Sequence, residues 1–200
     1  MSPGAPVPPL GLADAALEHG GLVLEPIVPA HAQVLWSELQ APGLYTFTPH
    51  DPPASLEALE ARYARWAARR SPDGREIWLN YAIRSEDRRY LGLVQATLQE
   101  SGTTYLAYEV FPAHWRTGVA RRACTALIDH LFAAYPRDAV SALVDTRNEP
   151  SFRLLESLGF RRTHTILDAD RFKGATSDEH AYRLLRAEWH AAREPRGPAR

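Results

Sequence analysis

Residues 115–122 join a predicted strand to a predicted helix through two small residues, Gly118 and Ala120. The first turn of a helix carries unpaired N–H groups and a partial positive charge, and it therefore attracts phosphate. The small residues allow a diphosphate to approach the backbone. Three arginines can add charge-assisted contacts: Arg116, Arg121 and Arg122. The run predicts a diphosphate-binding loop, with an ordinary loop of solvated arginines as the alternative.

The composition is that of a globular domain. The 200 residues are 45% hydrophobic and 24% charged, and a chain of this length can bury about 70% of its unfolded surface. No run approaches the roughly 18 apolar residues that a membrane span needs. The one cysteine, Cys124, cannot form an internal disulfide, and no Cys/His group has metal-ligand spacing. We therefore expect a cytoplasmic protein with no metal site and no membrane partner.

Charge is distributed unevenly along the chain. Residues 1–61 contain seven acidic side chains and no Lys or Arg, whereas the rest of the chain carries 17 acidic and 23 basic ones. This asymmetry suggests an anionic ligand on one side and a cationic one on the other, although a solvated surface explains the acidic part equally well. The net charge of -1 argues against nucleic acid as a partner.

Hydrophobic periodicity divides the chain into a folded domain and two ends. Residues 1–21 predict a disordered N-terminal arm and residues 191–200 a disordered tail. The domain at 22–190 is predicted to be α+β, with helices at 31–39, from Ser55, after Pro112 and at 150–158. Strands are predicted at 22–28, 77–84, 90–99, 103–111, 139–144, 163–167 and 180–186. The crossover helix predicts that the strands at 103–111 and 139–144 are parallel.

A second polar motif follows the predicted strand at 139–144. Asn148 and Ser151 open a short helix that closes in Leu-Gly-Phe at residues 158–160. In isolation, Asn148 is a helix cap and Ser151 a first-turn residue. Only one helix and one strand separate this motif from residues 115–122, so both motifs can border the gap between the two parallel strands.

These motifs resemble the GNAT superfamily of acyl-CoA-dependent N-acyltransferases over residues 22–189. That family's phosphate-binding pattern, Gln/Arg-x-x-Gly-x-Gly/Ala, appears here as Trp115-Arg116-Thr117-Gly118-Val119-Ala120. Trp115 departs from the first position and matches the RimJ/RimL-type branch, in which glycine is common where this chain has Arg116. Other features of that branch are also present: Tyr108, Pro112, Asn148, Ser151, Leu158-Gly159-Phe160, Gly174, Asp178, Tyr182 and Glu188-Trp189.

The resemblance implies a mixed, mostly antiparallel sheet with splayed central strands, flanked by helices. Acetyl-CoA would be the co-substrate, with its pantetheine arm along residues 109–111 and its pyrophosphate on the N–H groups of residues 117–120. Asn148 would hydrogen-bond the pantetheine or keep the cleft polar. The implied cofactor-binding residues are Val110, Phe111, Arg116, Thr117, Gly118, Val119, Ala120, Arg121, Arg122 and Asn148.

Direct attack of an amine on a thioester needs a base for the amine and tolerates an acid for the departing thiolate. Glu109 is one candidate base and Asp170, by resemblance to the ribosomal branch, the second; either can instead be a solvated or ion-paired carboxylate. The resemblance makes Ser151 the proton donor to sulfur, and the Val110 N–H could polarise the carbonyl. Cys124 lies on the apolar stripe of the helix and is expected to be a buried core residue.

The predicted function is that of an acetyl-CoA-dependent N-acetyltransferase that acts directly on a primary amine. The acceptor would be a protein N-terminus or a small cationic amine. The alternative is a non-catalytic acyl-CoA-binding sensor or module, in which the cleft remains but the proton-handling groups have been lost. A homodimer is an expectation from the family alone.

Overall fold

A mixed sheet forms the centre of the molecule. The computed structural model describes residues 15–194. Its strands are β1 (Leu17–His19), β2 (Leu22–Pro26), β3 (Glu76–Ser85), β4 (Tyr90–Gln99), β5 (Thr104–Val110), β6 (Ala139–Asp145), β7 (Arg161–Phe172) and β8 (Ala175–Leu185). They lie in the order β1-β2-β3-β4-β5-β6-β8-β7. Among these strands β5 and β6 pair in parallel, and the other neighbours are antiparallel.

Helices cover both faces of the sheet. They are α1 (His31–Leu35), α2 (Leu56–Ala67), α3 (Val119–Ala134), α4 (Glu149–Ser157) and α5 (Arg186–Ala191). The predicted start of α2 is confirmed, because the Ser55 hydroxyl accepts a hydrogen bond from the Ala58 N–H at 3.1 Å. None of the described helices is long and apolar enough to cross a membrane. This arrangement is the predicted α+β fold.

Two apolar clusters hold these layers together. The larger one lies on the α3 and α4 side and contains Leu106 and Val110 of β5, with Tyr108 packed against it. The smaller one, which includes Tyr63 of α2 and Phe111, lies on the α1 and α2 side. Because side chains alternate along a strand, Glu109 of β5 points to the α2 side.

The two ends of the domain are more ordered than predicted. Residues 1–21 were expected to form a disordered arm, but Leu17–His19 form β1, which pairs with β2 across the turn at Gly20 and Gly21. A strand of only three residues next to a polar turn gives too short a hydrophobic pattern to be predicted from the sequence. Residues 1–14 lie outside the described part of the chain, as do residues 195–200 of the expected tail. Near the other end, α5 was not predicted; it buries Trp189, whose indole N–H donates to Asp129 at 2.7 Å.

Strand and helix limits differ from the predictions in two further places. The helix expected at 31–39 ends at Leu35, and a 3₁₀ turn at Glu38–Gln40 follows it. The strand expected at 163–167 extends over Arg161–Phe172, and its partner β8 begins at Ala175. Lys173 and Gly174 form the turn between them with φ values of 50° and 78°, as a two-residue hairpin turn with left-handed residues requires. The longer hairpin reaches beyond the end of β6.

The parallel strands β5 and β6 separate after a single paired position. Tyr105 pairs with Ser141, near the start of both strands, and no later pair joins them within the described sheet. By contrast, β4 pairs with β5 from Leu98 and Thr104 to Gly92 and Val110. The carboxyl ends of β5 and β6 therefore diverge, as the predicted splayed sheet requires, and the loops that follow each strand lie at the open end.

Candidate active site

Helix α3 begins at the open end of the sheet without a side-chain N-cap from residues 15–194. Gly118 caps α3 with φ at 78°, no side chain of the described residues caps it, and its first turn contains no acidic residue. A Cβ at Gly118 would meet no described atom within 4 Å. The sixteen-residue helix α3 thus presents free N–H groups and open space in the same place, which is the arrangement that binds a phosphate.

The loop before α3 explains an unusual residue of the sequence. Arg116 has φ at 61°, a left-handed conformation that glycine adopts more readily than arginine. The Thr117 hydroxyl holds the loop by donating to the His114 carbonyl at 2.7 Å. The Trp115 indole N–H donates to the Val110 carbonyl at 2.6 Å. Trp115 therefore ties the phosphate-type loop to the end of β5.

The three arginines of the loop are not equivalent. Arg121 donates to the Ser157 hydroxyl of α4 at 2.7 Å, and Arg122 donates to the Gly20 carbonyl at 2.7 Å. Arg116 is exposed and makes no such contact among the described residues. Arg122 therefore holds the β1–β2 turn against α3, while Arg116 and, after release from Ser157, Arg121 are placed to meet an anion.

The end of β5 directs one backbone N–H into the gap. The Phe111 N–H donates to the Leu91 carbonyl at 2.9 Å, which makes Gly92 and Val110 a non-hydrogen-bonded pair. The Val110 N–H and carbonyl consequently point away from β4, toward the side on which β6 diverges. Phe111 differs from its predicted role: its N–H is used, its carbonyl accepts from His114 at 2.8 Å, and its ring is fully buried. Phe111 is a packing residue.

The polar motif on the other side of the gap contacts β5 directly. Asn148 caps α4, its side chain accepting a hydrogen bond from the Ser151 N–H at 3.3 Å. The Ser151 hydroxyl lies 2.8 Å from the Tyr108 hydroxyl, which also donates to the Ser151 carbonyl at 3.1 Å. Burial raises the pKa of the Tyr108 hydroxyl, so this hydroxyl remains a proton donor near neutral pH. The sequence identified Ser151 but assigned no role to Tyr108.

A buried carboxylate holds the turn before Asn148. Asp145 is 4% exposed and accepts hydrogen bonds from Arg147 at 2.6 Å and from the Ser177 hydroxyl at 2.6 Å. These bonds, with Arg147 first, lower the pKa of Asp145 to about 2. The Asn148 N–H in turn donates to the Asp145 carbonyl at 2.9 Å. Asp145 is therefore charged at neutral pH and fixes the position from which α4 begins.

Glu109 has the environment of a general base. It makes no ion pair and no hydrogen bond through its carboxyl group with the described residues. Burial raises the pKa of Glu109 from its ordinary value to about 7, and the nearby Arg62 guanidinium opposes that rise. A carboxyl group with this pKa exchanges protons readily at neutral pH.

Asp170, the second candidate base, lies in another part of the structure. It is on β7 opposite Ser177 of β8, and its carboxylate accepts a hydrogen bond from the Arg171 N–H at 2.7 Å. Asp170 acts electrostatically on Glu179, and it is not among the groups that act on Glu109. The structure does not bring the two candidate bases together.

The β7–β8 hairpin is fastened to the segment between α1 and α2. The Lys173 ammonium donates to the carbonyls of Tyr45, of Thr48 at 3.1 Å and of His50 at 3.5 Å. Tyr45 interacts electrostatically with Glu109. Tyr45, Thr48 and His50 are thus held by the tip of a hairpin that extends from the far side of the gap.

The structure leaves two other chemical possibilities unsupported. Cys124 is fully buried, and burial raises the pKa of its thiol, so it packs in the core as predicted. Residues 15–194 contain no group of three or more His, Cys, Asp or Glu side chains that could hold a metal ion.

Gly92 allows β4 to approach the residue that carries the candidate base. A Cβ at this position would lie 2.2 Å from the Glu109 carbonyl oxygen and 2.8 Å from the Val110 Cα. We expect Gly92→Ala to lower the free energy of unfolding by about 1–3 kcal/mol and to reduce kcat, because the backbone at Glu109 and Val110 must move. Chemical denaturation and steady-state kinetics measure both effects. Gly102→Ala, also at positive φ but with only an arginine tip at 3.8 Å, is the control; an equal loss there would contradict the steric explanation.

Comparison with known proteins places this geometry in a family. Residues 21–161 match the family model described as "Acetyltransferase (GNAT) domain". The chain belongs to the GNAT acetyltransferase family. The resemblance noted on the sequence motifs is therefore confirmed at the level of the family, and the matched residues contain β5, the loop at 115–118, α3, β6 and α4.

Relatives and solved structures agree with this assignment. An N-acetyltransferase named p20 of Bacillus licheniformis, itself uncharacterized, is 33% identical over 91 residues, which are 46% of this chain and 51% of that protein. The match thus spans about half the length of this curated relative. A crystal structure described as an acetyltransferase from T. thermophilus has 27% identity and a TM-score of 0.73, covering 88% of this chain and 92% of that one. Spermidine N-acetyltransferase from Vibrio cholerae, in complex with CoA and spermine, has 17% identity and a TM-score of 0.72, covering 85% and 98%; this match shows the fold alone.

Several residues of the site were missed by reasoning from sequence. Tyr108 lay within a motif, but its contact with Ser151 crosses 43 positions of the chain. Arg62 and Tyr63 lie on α2, which the sequence predicted only as a helix that begins at Ser55. Glu109 acts electrostatically on both Tyr63 and Tyr45. The adjacent Arg62 and Tyr63 were the one signal in the sequence that pointed to this part of the site.

Proposed function

We propose that this protein is an acetyl-CoA-dependent N-acetyltransferase that transfers an acetyl group directly to a primary amine. The observation that carries this proposal is the separation of β5 and β6 after one pair, next to the uncapped start of α3. A gap between strands accepts an extended arm with backbone hydrogen-bonding groups, and the helix start accepts its diphosphate. Acetyl-CoA has both parts.

The binding residues follow from the geometry of the loop. The backbone N–H groups of Val119, Ala120 and Arg121 are the free donors of α3 and would hold the pyrophosphate, with Gly118 leaving room for it. Thr117 and Trp115 would keep this loop in place through their bonds to His114 and Val110. The Asn148 amide group, only half used by its helix cap, would bind the pantetheine arm.

In the proposed acyl transfer, the co-substrate and three groups of the protein have defined roles. The co-substrate supplies an activated acetyl group as a thioester. The Val110 N–H, which points into the gap, would donate to the thioester carbonyl oxygen as charge develops there. As the amine nitrogen bonds to the carbonyl carbon and the carbon–sulfur bond breaks, the Glu109 carboxylate accepts the proton that the amine loses. Ser151, hydrogen-bonded to Tyr108, would donate a proton to the departing thiolate.

We assign the role of base to Glu109 rather than to Asp170. Both were candidates, but Glu109 lies on β5 next to Val110, and partial burial raises its pKa to about 7. A base of this pKa loses and regains its proton near neutral pH. Asp170 is on the hairpin and accepts a hydrogen bond from its neighbour's N–H. With Glu109 as the base, proton transfer from the amine does not require a water-mediated path to Asp170.

Three further predictions rest on narrower support. The RimJ/RimL-type branch is supported by the motif residues Tyr108, Trp115 and Ser151. Tyr108 contacts Ser151 across the gap, and Trp115 ties the loop to Val110. A cytoplasmic location is supported by the reduced and buried Cys124. A homodimer stays a prediction from the family.

The test is release of free thiol from acetyl-CoA by the full chain in the presence of single amines. We expect release to require both acetyl-CoA and one class of amine, with one acetylated amine formed for each thiol. Tight binding of CoA, measured by calorimetry, without release above hydrolysis for any of a broad amine panel would instead support the non-catalytic acyl-CoA-binding module.

A further inference from the structure

Three polar groups on the α2 side of β5 lack partners among the described residues. The Glu109 carboxyl group makes no ion pair or hydrogen bond there. The Tyr63 hydroxyl is buried and has no hydrogen-bond partner. The Arg62 guanidinium makes no ion pair with a carboxylate of residues 15–194. Of the three, Tyr63 is buried, whereas Arg62 and Glu109 are half-buried. Native structures rarely leave buried polar groups unsatisfied, and a ligand that approaches the two open charges is one explanation for their lack of partners.

These groups act on one another electrostatically. Arg62 and Glu109 both influence the Tyr63 hydroxyl, and Tyr45 does so as well. Arg62 is also the charged group that acts on Glu109. Arg62 and Glu109 nevertheless stay more than 4 Å apart, because no ion pair forms between them. A cation and a carboxyl group are therefore held close to each other but separate.

The surrounding contacts fix this arrangement. The Arg62 guanidinium lies 5.8 Å from the centroid of the Trp66 ring, one turn along α2, and Trp66 stacks on Tyr63 at 5.4 Å between centroids. The Tyr45 hydroxyl donates to the Leu39 carbonyl at 2.8 Å. Tyr63 has no exposed surface, so its hydroxyl cannot turn to bulk water. Arg62 and Glu109 are half-buried, so a ligand can reach these two groups and supply their missing partners.

We propose that Arg62, Tyr63 and Glu109 form the acceptor subsite and select a primary amine that carries an anionic group, as a free amino acid does. The amine would lie at Glu109 and the carboxylate would pair with Arg62, with the enclosed Tyr63 ring beside them. This inference rests on the proposed N-acetyltransferase function and names the class of its acceptor. Arginine suits the role because its planar fork binds a carboxylate through two hydrogen bonds.

A purely cationic acceptor fits this subsite less well. The sequence suggested one from the seven acids of residues 1–61, but Glu25 is paired with Arg84 at 2.6 Å. No acid of that segment is among the groups that act on Glu109. A diamine or polyamine would bring a second positive charge toward Arg62, which would repel it.

The experiment compares matched acceptors on the full-length protein. Each of a set of L-amino acids is paired with its carboxamide and with its decarboxylated amine, and kcat/KM is measured by thiol release. Calorimetric binding of the same compounds to the CoA-saturated protein gives a second readout. We expect the acids to exceed their neutral partners by about 10- to 100-fold, the range of a hydrogen-bonded charge contact. Arg62→Gln should remove this preference and leave the KM for acetyl-CoA unchanged, and Arg62→Lys should retain part of it.

The control lies on the same helix. Arg65→Gln removes an exposed arginine three positions away and should leave the preference unchanged. Equal or better use of carboxamides or diamines by the unaltered protein overturns the inference while the proposed function stands. Loss of the preference in the Arg65 variant also overturns it, because the effect would then come from general surface charge. If no amine is acetylated, the proposed function fails, and calorimetry still decides whether acids bind through Arg62.

Discussion

Replacement of Glu109 by glutamine is expected to lower kcat/KM for a productive amine by about 10²- to 10⁴-fold, the contribution typical of a general base. Glutamine has nearly the same shape but cannot accept the proton. The affinity for acetyl-CoA, measured by calorimetry, should not change, because Glu109 faces α2 and the diphosphate loop begins after Trp115. Asp170→Asn is the matched control, since it removes the other candidate carboxylate; a larger loss there would reverse the assignment.

The pH dependence of the same variant provides an independent test. Burial raises the pKa of Glu109 to about 7, and only the ionised form accepts a proton. For the unaltered protein, kcat/KM should therefore rise with pH up to about 7 before the acceptor's own ionisation takes over. In Glu109→Gln the inflection near pH 7 should disappear, leaving only the rise that follows the acceptor's own ionisation. A rise with the same midpoint in the variant would show that another group titrates.

Stability should change in the opposite sense to activity. Because the folded state holds the Glu109 proton more tightly than the unfolded state, the stability that protonation contributes is present at low pH and is lost as pH rises through about 7. Glutamine avoids that loss. We expect Glu109→Gln to raise the free energy of unfolding at pH 8 by at most about 3 kcal/mol relative to the unaltered protein, and therefore to raise Tm. Near pH 4 both quantities should be unchanged. This would mark Glu109 as a residue kept for function at a cost in stability.

The sequence predicted those features that depend on short spacing. The loop between β5 and α3, the capped start of α2 and the helix from Asn148 each depend on residues within a few positions of one another, so local propensity and capping chemistry identify them. The parallel pairing of β5 with β6 followed from the crossover helix between them. The mixed sheet and its family could thus be predicted from motifs in their order along the chain.

The environment of the candidate base could not be predicted in this way. Glu109 has its raised pKa because the fold partly encloses its carboxyl group, and the charged group that acts on it, Arg62, is more than 40 positions away along the chain. Which of the two carboxylates is enclosed depends on that packing, so the sequence left both Glu109 and Asp170 as candidates. The same reason applies to Arg122: its sequence neighbours suggested phosphate, but its contact is with Gly20, about 100 residues earlier.

The N-terminus of α3 gives the sharpest test of the diphosphate site. Gly118 has φ at 78°, and a Cβ there meets no described atom within 4 Å. Asparagine and aspartate tolerate left-handed φ better than other non-glycine residues and have nearly the same shape. Gly118→Asp and Gly118→Asn therefore differ chiefly in one negative charge, placed where the pyrophosphate is expected.

Gly118→Asp is expected to bind CoA about 30- to 150-fold more weakly than Gly118→Asn, as measured by calorimetry. Like charges about 4 Å apart repel by about 4 kcal/mol at an effective dielectric constant of 20, and exposure to solvent reduces this to about 2–3 kcal/mol. The difference should shrink at high salt. Misfolding cannot mimic this result, because an aspartate at a helix N-terminus interacts favourably with the helix dipole, so the weaker binder should have the equal or higher Tm. Equal affinity of the two variants for CoA would show that the diphosphate does not bind at the start of α3. The main support for acyl transfer in the gap between β5 and β6 would then be lost.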